Sequence, residues 1–297
     1  MKSSTQKTYH ERIERVVGFL SDQVDNNPSL ETLADVAAIS PYHFHRVYRA
    51  VTGETPSGTL RRLRLAKACN LLKDAANSVT QIAFDVGYDS SQGFAKAFRT
   101  GTGFSPTEVR NDPATLSKVV TLLSRPYGAS KQEFGEIEVK IVSVEPFKVI
   151  ASRHIGPHTS LFKNFAELFS WSEKTGLVAS FKGIYGIPVD DPRDVPEHEC
   201  RFECCFDFGS KASAAGDYRE YSLGGGEFAV ARHVGPYDGI EDKYDYLYGQ
   251  WLNSSGFSLR EQSFFNHYLQ DPDTVPPEEW ETDIYVPVDA TAERIKI

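Results

Sequence analysis

Val79-Thr-Gln-Ile-Ala-Phe-Asp-Val-Gly-Tyr-Asp-Ser-Ser-Gln-Gly-Phe-Ala-Lys-Ala-Phe-Arg-Thr-Gly-Thr-Gly-Phe-Ser-Pro-Thr-Glu-Val-Arg110 is the stretch around which the chain is organised. Ile82, Ala83 and Val86, at i, i+1 and i+4, make one face of a short helix. Gly87 ends that helix and permits a tight turn. Ser90 is a good N-cap for the next helix. There Phe94, Ala97 and Phe98 form an apolar stripe, and Ser91, Gln92, Ala95, Lys96 and Arg99 fall on the other faces. Two short helices about a Gly turn, the second polar and basic outside, predict a helix-turn-helix.

The chain makes this unit twice. Ser40-Pro-Tyr-His-Phe-His-Arg-Val-Tyr-Arg49, then Gly53 and Pro56, matches Ser90-Ser-Gln-Gly-Phe-Ala-Lys-Ala-Phe-Arg99, then Gly103 and Pro106, at an offset of 50. Phe44 pairs with Phe94, Arg46 with Lys96, Tyr48 with Phe98 and Arg49 with Arg99. Ahead of the turn the offset is 49, with Ala34 matching Ala83. Such a repeat predicts two similar modules. Pro56 to Leu72, rich in leucine, predicts a longer helix between them, and Tyr9 to Asp25 an amphipathic helix before them. On these residues the first third of the chain resembles the DNA-binding domain of the AraC/XylS transcription regulators. The carriers are Ile82-Ala-Phe-Asp-Val-Gly-Tyr88, Phe94, Phe98, Gly103, Ser105-Pro106 and Arg110.

Charge agrees with a division of labour. The net charge is −9, yet residues 1–113 hold 14 Lys+Arg against 12 Asp+Glu, and residues 114–297 hold 18 against 29. A reader of DNA joined to an acidic domain with another task fits that asymmetry. A net of +2 is modest, so phosphate binding would rest on clusters such as Arg61, Arg62 and Arg64. No run approaches the roughly 18 apolar residues of a membrane span, and the N-terminus lacks a signal-peptide apolar region. Cys69, Cys200, Cys204 and Cys205 give neither a disulfide framework nor paired metal-ligand spacing, so reduced thiols, a cytoplasmic location and no metal or cofactor are expected.

The domains expected are residues 8–112, a linker over 113–136 with one short helical stretch near Leu116–Leu123, and residues 137–297. From Ile137 the hydrophobic period moves towards two. A second repeat appears: Val149-Ile-Ala-Ser-Arg-His-Ile-Gly-Pro-His158 matches Phe228-Ala-Val-Ala-Arg-His-Val-Gly-Pro-Tyr237 at an offset of 79. The following helices match too, and Pro196…Glu203 aligns with Pro276…Asp283 after a one-residue shift. The fold expected is therefore multidomain: an all-α double helix-turn-helix domain, then a pseudo-symmetric α+β domain of duplicated strand-helix-strand-strand halves. The second domain resembles the GyrI-like, effector-binding domain of multidrug-responsive regulators. That resemblance rests on Arg232-His-Val-Gly-Pro-Tyr237, Trp251, Gly183-Ile-Tyr-Gly186 and Thr282-Asp-Ile-Tyr-Val-Pro287.

A recognition helix offers three or four side chains to base edges in the major groove. In the first module these are Tyr42, His45 and Arg46; in the second, Ser91, Gln92, Ala95 and Lys96. Arg46 suits guanine, Gln92 adenine and Ala95 a thymine methyl; Arg46 and Lys96 would otherwise bind phosphate. Arg49 and Arg99 lie off the reading face, and His43 reads as an exposed or helix-packing residue. Held rigidly, the two helices would enter double-stranded DNA one turn apart, about 34 Å.

Residues 114–297 hold 10 of the 14 tyrosines and all three tryptophans. An acidic, aromatic cleft suits a small hydrophobic cation as effector. The GyrI-like resemblance implies an acid on the last strand, here Asp283, where that family more often has Glu. Glu281 and Tyr285 share its strand face, and Glu203 has the symmetric place. Tyr185, Tyr237 and Trp251 are candidate walls, with core packing the alternative for each; a paired carboxylate is the alternative for Asp283. A ligand-responsive, sequence-specific transcription regulator follows as the leading expectation, with RNA polymerase as a further partner. The competing readings are a hydrolase and a protein-binding module. No nucleophile–base motif stands out, and Gly224-Gly-Gly226 lacks the Lys-Ser/Thr ending of a phosphate loop, so an enzyme is not expected.

Overall fold

The computed structural model describes residues 4–124, 135, 137–209 and 212–291. The chain begins with helices α1 (Ser4–Asp22), α2 (Leu30–Ala37), α3 (Pro41–Thr52), α4 (Pro56–Leu72), α5 (Val79–Asp85), α6 (Ser91–Thr102), α7 (Pro106–Asn111) and α8 (Pro113–Leu123). Local chemistry sets their starts. The side chains of Ser29, Ser78 and Ser90 accept from the amides of Thr32, Gln81 and Gly93, and Ser105 with Glu108 forms a capping box. Helices α2–α3 and α5–α6 are the two helix-turn-helix modules. The long α4 joins them and buries Leu65, Ala68, Cys69 and Leu72 against Ile82, Ala83, Val86, Phe94 and Phe98.

The two turns differ at one residue. Gly87 has φ 82°, and its repeat-mate Ala38 takes φ 51°. Alanine there costs about 1–2 kcal/mol, a strain the first module tolerates. At Gly87 a Cβ would also lie 2.7 Å from the Asp25 carbonyl oxygen and 2.9 Å from its Cα. Backbone cannot yield as a side chain does, so Gly87→Ala is expected to destabilise the helical unit by about 2–4 kcal/mol, read as a lower urea midpoint. An unchanged midpoint would show that the α1–α2 loop shifts freely.

Within the expected linker, the helical stretch expected near Leu116–Leu123 lies in helix α8, with Val119 and Leu123 buried in the core around α4. Asp112 caps α8 by accepting from the Ala114 amide at 3.0 Å. Residues 125–134 and 136 of the expected linker lie outside the described residues.

The second unit contains β1 (Val139–Val144), β2 (Phe147–Ile155), α9 (Leu161–Lys174), β3 (Gly183–Pro188), β4 (Arg201–Asp207), β5 (Arg219–Leu223), β6 (Gly226–Val234), α10 (Ile240–Tyr246), a π-turn (Leu247–Trp251), α11 (Leu252–Ser255), β7 (Phe257–Leu259), β8 (Phe265–Tyr268) and β9 (Glu281–Ala290). Its antiparallel sheet runs β1-β6-β9-β8-β3-β4-β2-β5, with β7 paired to β9. The predicted repeat is visible: β2-β4-β3 mirrors β6-β9-β8, and the halves meet where β3 pairs β8. Each half also gives away a strand. β1 pairs β6 of the second half, and β5 pairs β2 of the first. The repeated histidines close the repeated Gly-Pro turns: Nε2 of His154 donates to the Pro157 carbonyl at 3.1 Å, and that of His233 to Pro236 at 2.8 Å.

Strand alternation gives the sheet two faces. One carries Ala229, Ala231, Ile284, Val286 and Val288 into a core shared with Ile13, Val16, Leu20, Phe44 and Val47 of α1 and α3. The first helix-turn-helix module is thus packed onto the second unit through a common apolar core. Burial of each of the valine, leucine, isoleucine and phenylalanine side chains among them contributes roughly 1.5–3 kcal/mol. The Leu259 amide adds a bond to the Tyr9 hydroxyl at 3.2 Å. Among the described residues no helix is long and apolar enough to cross a membrane.

Candidate functional site

The two helices expected to read DNA, α3 and α6, are built alike and placed differently. On α6, Gln92 and Lys96 are exposed and Ser91 and Ala95 half-buried, while Phe94 and Phe98 face the core. All four expected readers of the second module therefore share a solvent-facing side. On α3, Tyr42 is 44% exposed, but His45 and Arg46 are 2% and 3% exposed. The expectation that Tyr42, His45 and Arg46 form one open reading face is corrected for this conformation: α10, the π-turn and Phe264 cover it. The covering contacts are specific. Arg46 Nη1 donates to Glu241 Oε2 at 3.1 Å, and its guanidinium lies 3.6 Å from the Tyr244 ring centroid and 4.8 Å from that of Phe264. Arg49 Nη2 donates to Asp245 at 3.4 Å. His43, expected as an exposed or helix-packing residue, is buried; its Nε2 donates to the Arg260 carbonyl at 3.0 Å and its Nδ1 accepts from the Tyr248 hydroxyl at 2.7 Å. Arg193 bridges Asp191, Glu241 and Asp245, completing an ionic lattice across the join.

Burial opposes charge on Arg46, but Glu241, Tyr244 and Asp191 more than offset it and hold the guanidinium protonated. Burial pushes His43 down to about 4 and, with Arg46 beside it, His45 down to about 3. Both rings are therefore neutral at pH 7. The docked helix is not fully satisfied: both ring nitrogens of His45, and Nε and Nη2 of Arg46, lack a hydrogen-bond partner among the described residues. Each such orphan costs about 1–3 kcal/mol. His45 also lines a cavity of about 450 Å³ between the units, with Glu31, Asp190, Asp191, Asp194 and Arg201.

Of the expected phosphate cluster, Arg61 is exposed. Arg62 instead pairs with Glu54 at 2.9 Å, and Arg64 ties down the loop after α1 through the Val24 and Asn26 carbonyls at 2.8 and 3.0 Å.

The sheet face away from the helices carries a row of rings. Tyr185 stacks on His267 at 4.4 Å where the halves meet, and Phe265 stacks on Tyr285 at 4.7 Å. Phe147 closes on Tyr185 at 5.1 Å and Phe228 on Phe265 at 5.4 Å. At each end an arginine of the repeat meets an acid of the repeat. Arg153 Nε donates to Glu203 Oε1 at 2.6 Å. Arg232 grips Asp283 with two bonds of 2.7 and 2.9 Å and reaches Glu281 at 2.9 Å. Glu203 is 1% exposed and also takes the Tyr221 hydroxyl at 2.8 Å, yet its Oε2 has no partner among the described residues.

The model of the GyrI-like small molecule binding domain matches residues 137–289. The chain belongs to the GyrI-like family. A helix-turn-helix domain model matches residues 33–112 ahead of the GyrI-like domain. The chain is similar to the HTH-type transcriptional activator RhaS of Escherichia fergusonii, 40% identical over 99 residues, which is 33% of this chain and 36% of that protein. It thus spans about a third of the length of that relative. It is also similar to the probable transcriptional regulator YgiV of Escherichia coli K12, 30% identical over 157 residues, 51% of this chain and 96% of YgiV. Among solved structures it resembles the DNA-binding domain of AdpA in complex with a target DNA, at 30% identity and a TM-score of 0.32, over 33% of this chain and 89% of that one.

Within the GyrI-like domain Tyr185, Glu203, Glu281, Asp283 and Tyr285 share the sheet face away from the helices, with Glu203 buried in it. Tyr237 and Trp251 do not join them. Tyr237 stacks on Trp280 at 4.6 Å beside Tyr268, and Trp251 stacks on Phe257 at 5.7 Å against the shared core. Both follow a turn or sit in a helix, so strand alternation does not set their side. Phe147, Phe265, His267, Arg153 and Arg232 are the additions. The two arginines were visible as identical members of the repeat.

Proposed function

We propose that the chain is a sequence-specific DNA-binding transcription regulator whose GyrI-like domain takes a small hydrophobic cation as effector. The observation that carries the DNA half is the free face of α6: Gln92 and Lys96 stand in solvent on a capped helix held by a Gly turn. A glutamine offers a bidentate match to adenine and a lysine serves guanine or phosphate. The effector half is supported by the ring row and by the free, buried oxygen of Glu203. A cation over the rings would meet π-faces and a carboxylate. Since Arg153 and Arg232 already pair the acids, it would have to displace one of them.

A footprint on DNA flanking the protein's own gene tests the first half. Gln92→Ala and Lys96→Ala are each expected to weaken protection by about 1–3 kcal/mol, with Lys96→Ala also lowering the salt dependence if it holds phosphate. Equal protection by both variants and the parent would refute reading by α6. Transcription from the same DNA with RNA polymerase asks whether the enzyme is a partner. Titration with hydrophobic cations against Glu203→Gln tests the second half. We read the chain as a regulator rather than an enzyme: burial pushes the Cys69 and Cys200 thiols to about 11, and Asp283 is held by Arg232. Turnover of an activated ester, lost in Asp283→Asn, would reverse that.

A further inference from the structure

The same repeat position is a solvated lysine on α6 and a sequestered arginine on α3. This contrast needs a cause. Lys96 is exposed; Arg46, fifty residues earlier, lies between the Tyr244 and Phe264 rings with Glu241 on its Nη1. The surface that receives α3 offers carboxylates at Glu241 and Asp245, a hydroxyl at Tyr248 and ring faces. A base edge with flanking phosphates likewise offers acceptors to Arg46 and Arg49. The fit is incomplete in a telling way, because His45 and two nitrogens of Arg46 keep hydrogen-bonding capacity that the docking surface leaves unused. A face built only for core packing would carry apolar groups there.

We propose that the acidic, aromatic face of α10 and the π-turn is an internal competitor of DNA, holding the first reading helix in a latent state while the second stays open. This rests on the DNA-reading assignment above and adds its control. In the latent state only α6 is free to enter a major groove. Release of α3 brings in the second helix, and the apparent affinity rises as the fraction of released molecules rises. The α10 face belongs to the GyrI-like domain, so any ligand that favours one arrangement of that domain would bias the equilibrium.

Two experiments on the full chain test this. In the first, Glu241→Gln removes the charge facing Arg46, and Tyr248→Phe removes only the hydroxyl facing His43. With the flanking DNA as probe, Glu241→Gln is expected to bind about tenfold or more tightly than the parent, and its footprint to lengthen from one groove segment to about two helical turns. Tyr248→Phe, which leaves the ring in place, should move in the same direction if Glu241→Gln fails to fold. Unchanged or weaker binding by folded variants overturns the proposal. In the second, Ala50→Cys is paired with Gly249→Cys. A Cβ at Gly249 would lie 3.8 Å from that of Ala50, which suits a disulfide. The four natural cysteines are buried. In the Glu241→Gln background, oxidation is expected to shorten the lengthened footprint to the α6 segment, and a reductant to restore its length. Failure to crosslink overturns the docked geometry, and a crosslinked protein with a full footprint overturns the competition. Absence of DNA binding by the parent and every variant, with α3 amides exchanging fast in Glu241→Gln, defeats the DNA-reading assignment itself.

Discussion

Arg46→Ala is expected to lower the unfolding free energy by about 3–5 kcal/mol, whereas Lys96→Ala, at the same position of the repeat, is expected to change it by less than about 0.5 kcal/mol. Arg46 is buried among two rings and a carboxylate. Its removal takes one of the two guanidinium groups from Glu241, opens a void against Tyr244 and Phe264, and leaves Arg193 and Arg49 to hold the lattice. Lys96 stands in water, and its loss leaves nothing unpaired. Urea denaturation of both variants, with equal slopes, measures the difference. Similar midpoints would mean that α3 is not docked in solution. Loss of DNA binding in Arg46→Ala therefore does not by itself identify a base contact, because the same change breaks the join. Gln92 and Lys96 are the cleaner probes of reading.

Acidification is the second large effect. The ordinary histidine pKa is near 6.5, and docking holds His43 at about 4 and His45 at about 3. Both values are depressed, so the released or unfolded chain binds protons that the docked chain refuses. Stability from this source is complete above about pH 6.5 and is lost as the pH falls towards 4. At about 1.36 kcal/mol per unit for each proton, the two rings together remove roughly 4–5 kcal/mol by pH 4.5. The groups facing them do not cancel this. Around His45, Arg46 reinforces burial, while Asp190 and Asp191 act against it; around His43, the Arg260 and Gln262 backbone acts against burial and Arg46 reinforces it. Asp191 itself is buried, but Arg193 holds it well below the usual carboxylate range, so it stays charged throughout. Denaturation at pH 7, 5.5 and 4.5 should show the fall, and His43→Asn with His45→Gln should flatten it. A parent profile already flat over that range would contradict neutral, buried rings.

The elements that follow from local chemistry were legible in the sequence. Ser90 and Ser105 cap where a capping serine should stand, Gly87 turns, and the offsets of 50 and 79 mark two duplications that the fold realises as α3/α6 and β2/β6. The open sheet face was half legible, since alternation along β9 puts Glu281, Asp283 and Tyr285 together. It could not place Tyr237 or Trp251, which no strand orients. The docking of α3 was invisible for a different reason. Arg46 and Glu241 are 195 residues apart, and a polar helix face reads the same whether it meets water, DNA or a carboxylate. A repeat says that Arg153 and Arg232 hold equivalent places; only the fold says that each neutralises an acid.

The exchanged edge strands have a consequence for how the sheet is made. β1 precedes the first half but completes the second, and β5 precedes the second half but completes the first. Neither half encloses its own edge. A fragment carrying one half would present an unpaired outer edge on its three-stranded core and a spare strand with nowhere of its own to go. Two copies of such a fragment would cure both faults by trading strands, as domain-swapped dimers do. The GyrI-like unit is in this sense a swapped dimer written into one chain, and the peptide between β4 and β5 converts a concentration-dependent encounter into an intramolecular one.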